Sequence, residues 1–453
     1  MKVSAIEKQL GIRTFASETY GIGGVIKQEP RDFLVREQLV DGSEANFQFR
    51  SASPPEGEGR YLICILVKRD WDTLLAVRKI TKRLGISERR LQIAGIKDKK
   101  AMTAQYISIE NPKLQRLNHL KITDIEVYPL HYSTNMVFPH QLFGNKFDLT
   151  IRAINHGTTL IKKRMALIYH ELRTLGGVPN FFGHQRFGTI RPITHLVGKA
   201  LVQNDLERAA FLYLAKSSSY EHPKSRQARQ QLLESRNFKE ALNHFPRWLL
   251  YERLMLSRLA KNPRAYSSAF KRLPQRLCYL FVQAYQSYLF NCFLSKRMSC
   301  NIPMDKPQVG DYVVKTDKKG LPINTYLKAT MSNLKDLHTK VEKGKMYPSI
   351  PLIGFKQAAS EGMQGEIEKS ILEEEEVTPS HFLIASMPKV SAAGRLRPIL
   401  MPLMDFIFEN PSKDDLNPSK KKITLCYSLH RGCYATIVLR EFMKPRSPIE
   451  AGF

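Results

Sequence analysis

The pattern of apolar and polar positions divides the chain into two territories. Up to about residue 190, strand-like and helix-like stretches alternate. The run "YLICILV" at 61–67 is apolar throughout, with β-branched and aromatic bias, and predicts a buried strand. In "DWDTLLAVRKITKRLGI", Leu74, Val77, Ile80 and Leu84 recur at helical spacing, with Asp70 or Asp72 as N-cap and Gly85 just past the last turn. The other faces of this helix carry Arg78, Lys79, Lys82 and Arg83. "LQIAGI" and "TAQYISI" predict two strands around a "KDKKAM" connection. "DIEVYPL" and "FDLTIRAI" predict two more, and Phe147, Leu149 and Ile151 alternate onto one face.

Past residue 190 the period changes. "THLVGKALVQNDLERAAFLYLAK", "SRQARQQLLESRNFKEALNHF" and "WLLYERLMLSRLA" are helical, and predict a compact helical insertion over 191–275. "LPQRLCYLFVQAYQSYLFNCFLSKRM" predicts a further helix, with Leu277, Phe281, Ala284, Tyr288 and Cys292 in one core-facing stripe. Residues 300–390 are mixed. They include a strand at "GDYVVK" and an acidic run, Glu373 to Glu376, that reads as a solvated helix face. "NPSKDDLNPSKKK" at 410–422 reads as a polar loop, and "GCYATIVLREF" as the last strand. The fold class expected is α+β, a mixed α/β chain with no internal repeat of 20–50 residues.

Composition changes this picture mainly in one respect. The 453 residues suffice for two or three domains, and 70 Lys and Arg against 42 Asp and Glu leave a formal charge of +28. Such a field attracts polyanions, of which nucleic acid is the commonest. Six cysteines without C-x-x-C spacing argue against a zinc ribbon or redox dithiol and fit a reducing cytoplasm. The apolar runs fall well short of the roughly 20 residues a bilayer span needs, and "MKVSAIEKQLGIR" has no apolar signal core, so no membrane association is expected.

The familiar chemistries find no motif. There is no G-x-x-x-x-G-K-[ST], no H-E-x-x-H, no G-x-S-x-G and no convincing set of metal-binding histidines. "GIGG" at 21–24 lacks the helix that a dinucleotide fingerprint requires. Sites for S-adenosylmethionine are poorly specified in sequence and stay open. What stands out is Asp98 in "IAGIKDKKAMTAQYISI", flanked by Lys97, Lys99 and Lys100. On the residues alone it is either a turn aspartate or a reactive carboxylate in a positive field.

Six stretches, in order, resemble one family, the TruD-type tRNA pseudouridine synthases. They are "GGVIKQEPRDFLVRE" (23–37), "AGIKDKKAMTAQ" (94–105), "GNKFDLTIR" (144–152), "GGVPNFFGHQRFG" (176–188), "AYQSYLFN" (284–291) and "YATIVLRE" (434–441). The helical block at 191–275 resembles that of the longer, archaeal-type members. "NMVFPHQLFGN" departs from the family where Met136 and His140 stand in place of a basic residue and a glycine.

The resemblance implies isomerisation of uridine to pseudouridine in tRNA, at uridine 13, in the cytoplasm. No metal or other cofactor is implied; the partner is tRNA, and the oligomeric state is not specified. The implied architecture is a pseudouridine-synthase catalytic domain in two pieces, 1–190 and 391–453. Between them lie the helical insertion, 191–275, and a family-specific α/β module, 276–390. RNA is expected in the basic cleft between the two parts. Asp98 matches the nucleophile. Lys97 is expected beside it, favouring its ionised form, and Lys27 in the same cleft. Phe182 matches a base-stacking ring, and Asn180 an amide that orients Asp98 or the uracil edge. Arg186 pairs with a carboxylate or phosphate, or forms a structural ion pair. Lys99 and Lys100 face phosphate or water. The alternative is a non-catalytic tRNA-binding or RNA-folding protein on the same fold, with RNA methylation a third reading.

Overall fold

A computed structural model describes residues 2–48 and 55–453. Strand Phe33–Leu39 buries Phe33, Val35 and Glu37 in alternation and lies in the middle of a nine-stranded sheet. Seven strands run across it in the order Met404–Phe408, Lys421–His430, Leu142–Ile154, Phe33–Leu39, Met102–Glu110, Tyr61–Arg69, Ile125–Ser133, with Ser412–Lys413 paired on Lys421–His430 and Leu91–Ile93 on Met102–Glu110. Phe33–Leu39 runs parallel to Met102–Glu110 and antiparallel to Leu142–Ile154, so the sheet is mixed. Tyr61–Arg69 is buried at every residue but the last, because both faces are covered; this explains its unbroken apolar run. Helix Thr73–Leu84 covers one face, and Ala76, Ile80 and Leu84 join Leu62, Cys64 and Leu66 in one cluster. Of the two candidate caps it is Asp72 that accepts from the N–H groups of Leu74 and Leu75, at 2.9 and 3.0 Å. Gly85 ends the helix at φ +69°.

Short helices from Thr194–Val202 to Tyr266–Phe270 occupy the predicted helical stretch and lead into the long helix Gln275–Ser299. Gly198 lets two helices touch: a Cβ there would lie 2.0 Å from the Phe281 carbonyl oxygen. Of the acidic run, Glu375 turns inward and pairs with Lys199 at 2.8 Å, while Glu373, Glu374 and Glu376 are exposed. A smaller sheet follows, ordered Arg395–Pro398, Met346–Leu352, Tyr312–Thr316, Pro322–Lys328. Its strand Arg395–Pro398 extends past residue 390, and Leu400–Met401 then crosses to pair with Val178–Pro179.

Two expectations change. "GCYATIVLREF" is not a strand: Ala435–Met443 is a helix, buried at all of its residues. A short apolar run buried on every side carries no period that separates helix from strand. Its charged pair is buried too, Arg440 meeting Glu7 at 2.6 Å and Glu441 at 2.7 Å. The polar loop at 410–422 is also more than a solvated connection. Asp414 and Asp415 reach Arg152 at 2.8 and 2.7 Å, and Asp32 meets the same guanidinium at 2.7 Å. Arg152, on strand Leu142–Ile154, therefore ties Asp32 of the "PRDF" stretch and the 410–422 segment to the same point of the large sheet. No described helix is long and apolar enough to cross a membrane.

Candidate active site

The loop carrying Asp98 joins strand Leu91–Ile93 to Met102–Glu110, and its backbone is tied at successive points. Gln105 donates its amide to the Gly95 carbonyl at 2.9 Å. The Thr73 hydroxyl accepts from the Lys97 N–H at 3.1 Å and donates to the Lys97 carbonyl at 3.2 Å. Lys68 donates its ammonium to the Asp98 carbonyl at 2.7 Å. Gln105, Thr73 and Lys68 are all fully buried. With the main chain held from below, the Asp98 carboxylate projects outward with its side chain 29% exposed. One of its oxygens meets the Lys27 ammonium at 3.5 Å and accepts from the Gln185 amide at 2.8 Å.

Two of the supporting lysines are unusual. Lys27 adopts a left-handed backbone, φ +58°, a conformation that costs a non-glycine residue on the order of 1 kcal/mol or more. Neighbouring bonds hold the segment there, from Val25 to Arg152 and from Ile26 to Ala451. The Lys27 ammonium lies 4.3 Å from the centre of the Phe33 ring, which gives it an apolar seat facing Asp98. Lys68 sits at the inner end of the apolar strand Tyr61–Arg69. Burial pushes its pKa down to about 8, against the opposing pull of Asp98, Asp72 and Asp70 and with a small further push from Lys97.

Lys97 does not stand beside the Asp98 carboxylate. Its ammonium turns into the sheet, 2.7 Å from Glu37 and 2.8 Å from the Asn145 side-chain oxygen. Glu37 is fully buried and also accepts from the Tyr106 N–H at 2.8 Å. The peptide next to Asp98 is thereby pinned by a buried ion pair. Lys99 and Lys100 are exposed.

The opposite wall is the loop following Val178–Pro179. Asn180 is buried and fully engaged. Its N–H donates to the Ile399 carbonyl at 2.8 Å, and its side-chain amide to the Pro398 carbonyl at 3.0 Å. Both its oxygens accept from Arg397, which also donates to the Gly432 carbonyl at 3.1 Å. Asn180 is thus turned toward the small sheet's last strand and not toward Asp98. Phe182 is 4% exposed. The Arg397 guanidinium lies 4.1 Å from its ring centre, and Phe290 and Tyr434 meet it edge-on. Among the described residues Arg186 pairs with no carboxylate: it donates to Ser287 and Gln283, both at 3.1 Å, on helix Gln275–Ser299. Burial lowers its pKa.

Lys27 and Asp98 are therefore brought together directly, and Phe182, Asn180 and Arg186 share the facing wall. Gln185, Lys68, Thr73, Glu37 and Arg397 were not singled out from sequence. Gln185 lies in "PNFFGHQRFG", but an exposed glutamine carries no chemical signal of its own. Lys68 had one, a charge ending an otherwise apolar strand. The site presents an accessible carboxylate, one ammonium and one amide, equipment for attack on an electrophilic carbon or for stabilising positive charge there. Among the described residues, no group of three or more His, Cys, Asp or Glu side chains is placed to hold a metal ion.

Comparison with known proteins places the chain among characterised sequences and folds. Residues 9–442 match the family model for tRNA pseudouridine synthase D (TruD). A Methanosarcina barkeri protein named "Probable tRNA pseudouridine synthase D" is 39% identical over 445 residues, 98% of each chain. A protein of the same name from Thermococcus onnurineus is 36% identical over 434 residues, 95% of this chain and 97% of its own. A TruD crystal structure from Methanosarcina mazei superposes with a TM-score of 0.82 at 38% identity, covering 98% of this chain and 99% of that one.

Proposed function

The chain belongs to the tRNA pseudouridine synthase D (TruD) family, and from that premise we propose that it isomerises uridine 13 of tRNA to pseudouridine, with Asp98 as the nucleophile. The observation that carries this reading is the Asp98 carboxylate itself, held outward by a buried frame and flanked by Lys27 and Gln185. In the forward step a carboxylate oxygen attacks C1′, and the N1–C1′ bond breaks with its electron pair leaving on uracil N1. The uracil turns in place. C5 then bonds to C1′ and displaces the carboxylate, C5 loses its proton, and N1 ends protonated. In a glycal route the same carboxylate removes a sugar proton instead, and the net change is identical. Nothing is consumed in either.

Lys27 keeps a cation at the reacting carboxylate, and Gln185 fixes its rotamer. The flipped uracil would lie along the wall of Phe182 and Asn180, whose shape is set by Arg397. Arg186 holds that wall to the long helix. The catalytic domain would comprise 1–190 and 391–453, with 191–275 and 276–390 inserted, and the excess of positive charge would bind tRNA phosphates in the cytoplasm. The test is Asp98→Asn. Mass spectrometry of carbodiimide-labelled tRNA should show pseudouridine from the wild type and none from the variant, with tRNA binding within a few-fold. Equal pseudouridine from both would overturn the assignment. Binding without pseudouridine from the wild type would favour the non-catalytic reading.

A further inference from the structure

Beside the candidate active site, the large and small sheets enclose a cavity of about 860 Å³. Ala94 and Leu142 line it from the large sheet, and residues from Leu321 to Tyr326 and from Gly394 to Pro398 from the small one. Three arginines border it, Arg395, Arg397 and Arg431, and among the described residues its lining contains no Asp or Glu. Arg431 donates to the carbonyls of His140 and Leu142, at 2.6 and 2.9 Å, so backbone positions it, and among the described residues no carboxylate pairs with it. Arg395 is exposed. Arg397 is already committed to Asn180, Gly432 and the Phe182 face. The remaining surface is not simply polar: Tyr326 and Ile323 are 49% and 40% exposed, with the amides of Asn324 and Gln357 alongside.

These features ask for two things at once. Guanidinium groups without carboxylate partners in a partly enclosed space suit a phosphate. An exposed aromatic ring beside side-chain amides suits the face and edge of a base. A nucleotide supplies both. The volume exceeds what one base requires and leaves room for its sugar and phosphate. We propose that this cavity is a second nucleotide subsite, which takes an unpaired nucleotide of the substrate RNA near the target uridine. Its base lies against Tyr326 and its phosphate between Arg395 and Arg431. The subsite rests on the reading of the chain as an RNA-modifying enzyme. It is physically joined to the reaction centre, because Arg397 forms the boundary between the cavity and Phe182. An occupant would therefore brace the wall against which the target base is placed.

The experiment uses the full chain carrying Tyr326→Ala with Arg395→Gln, made in both the wild-type and the Asp98→Asn background. Binding of a tRNA transcript should weaken about tenfold or more in both backgrounds, the effect of one lost stacking contact. The slope of log affinity against log salt should become shallower by about one, for the one phosphate contact removed. Transcripts lacking a single base should identify one position whose loss weakens the wild type and leaves the double variant indifferent. Unchanged affinity and salt slope would overturn the subsite. So would Tyr326→Trp fluorescence quenched by uridine monophosphate but not by tRNA, which would assign the cavity to a free nucleotide. Weakened binding in a protein that forms no pseudouridine would retain the subsite while the proposed reaction failed.

Discussion

The loop carrying Asp98 and the loop carrying Phe182 face each other and are joined by a hydrogen bond, the Gln185 amide on the Asp98 carboxylate. Charges gather around Asp98: Lys27 at its carboxylate, Lys68 under its carbonyl, and the Lys97–Glu37 pair below the loop. Around Phe182 the cations have neutral partners. Its two arginines, Arg186 and Arg397, take carbonyls, amides and a hydroxyl as acceptors. The contrast follows from what each wall must hold. In the proposed reaction the carboxylate has to be reachable and to have a cation beside it, which a partly exposed side chain next to Lys27 supplies. A wall that receives a flat base needs shape, and neutral hydrogen bonds give shape without competing for the carboxylate.

Removing one partner of the buried pair tests the first wall most severely. Lys97→Met leaves Glu37 buried without its cation and should cost about 3–5 kcal/mol in urea unfolding. Adding Glu37→Gln should return much of that loss. A Lys97→Met protein of normal stability and no activity would instead place Lys97 in the chemistry. Next in size is Arg397→Lys, which loses the fork that serves Asn180 and Gly432 together. About 2 kcal/mol of stability should go, with a slower reaction and a Lys27–Asp98 corner left intact.

Lys68→Met should lower the rate at saturating tRNA about tenfold at pH 7 and leave tRNA affinity unchanged, because it loosens the peptide that aims the carboxylate. The wild-type rate should fall as pH rises through about 8, where the Lys68 ammonium loses its charge, and this limb should vanish in the variant. Stability runs the other way. The folded pKa lies below the ordinary 10.5, so between about 8 and 10.5 the unfolded chain holds the extra proton, and this group's contribution to folding rises with pH. The smallest effect is expected at the bridge between the walls. Gln185 is exposed, so Gln185→Ala should leave the melting temperature unchanged and reduce the rate about threefold, the size of one modest hydrogen bond.

Much of the large sheet was legible in the residues. Strand Tyr61–Arg69 and helix Thr73–Leu84 declare themselves through burial pattern, cap and terminal glycine, because local periodicity and local hydrogen bonds decide them. Asp98 was legible as a candidate and, through its motif, as the residue of greatest interest. Ala435–Met443 was misread as a strand because burial on all sides erases the period that distinguishes the two.

The sequence alone determined the family, the mixed α+β class, the positive field, and the motif aspartate as the residue to examine. Only the tertiary structure decided where the side chains point. Lys97 adjoins Asp98 in sequence yet reaches Glu37, while Lys27, Lys68 and Gln185 come from distant segments to hold Asp98. Arg397 had no signal at all before it was found clamping Asn180 and Phe182 across more than two hundred residues of chain. The physical reason is one of range. Backbone propensity and patterning act over a few residues and are written locally. The direction of a buried charge is set by whichever partner relieves its desolvation, and that partner is brought near only when the sheets and helices pack together.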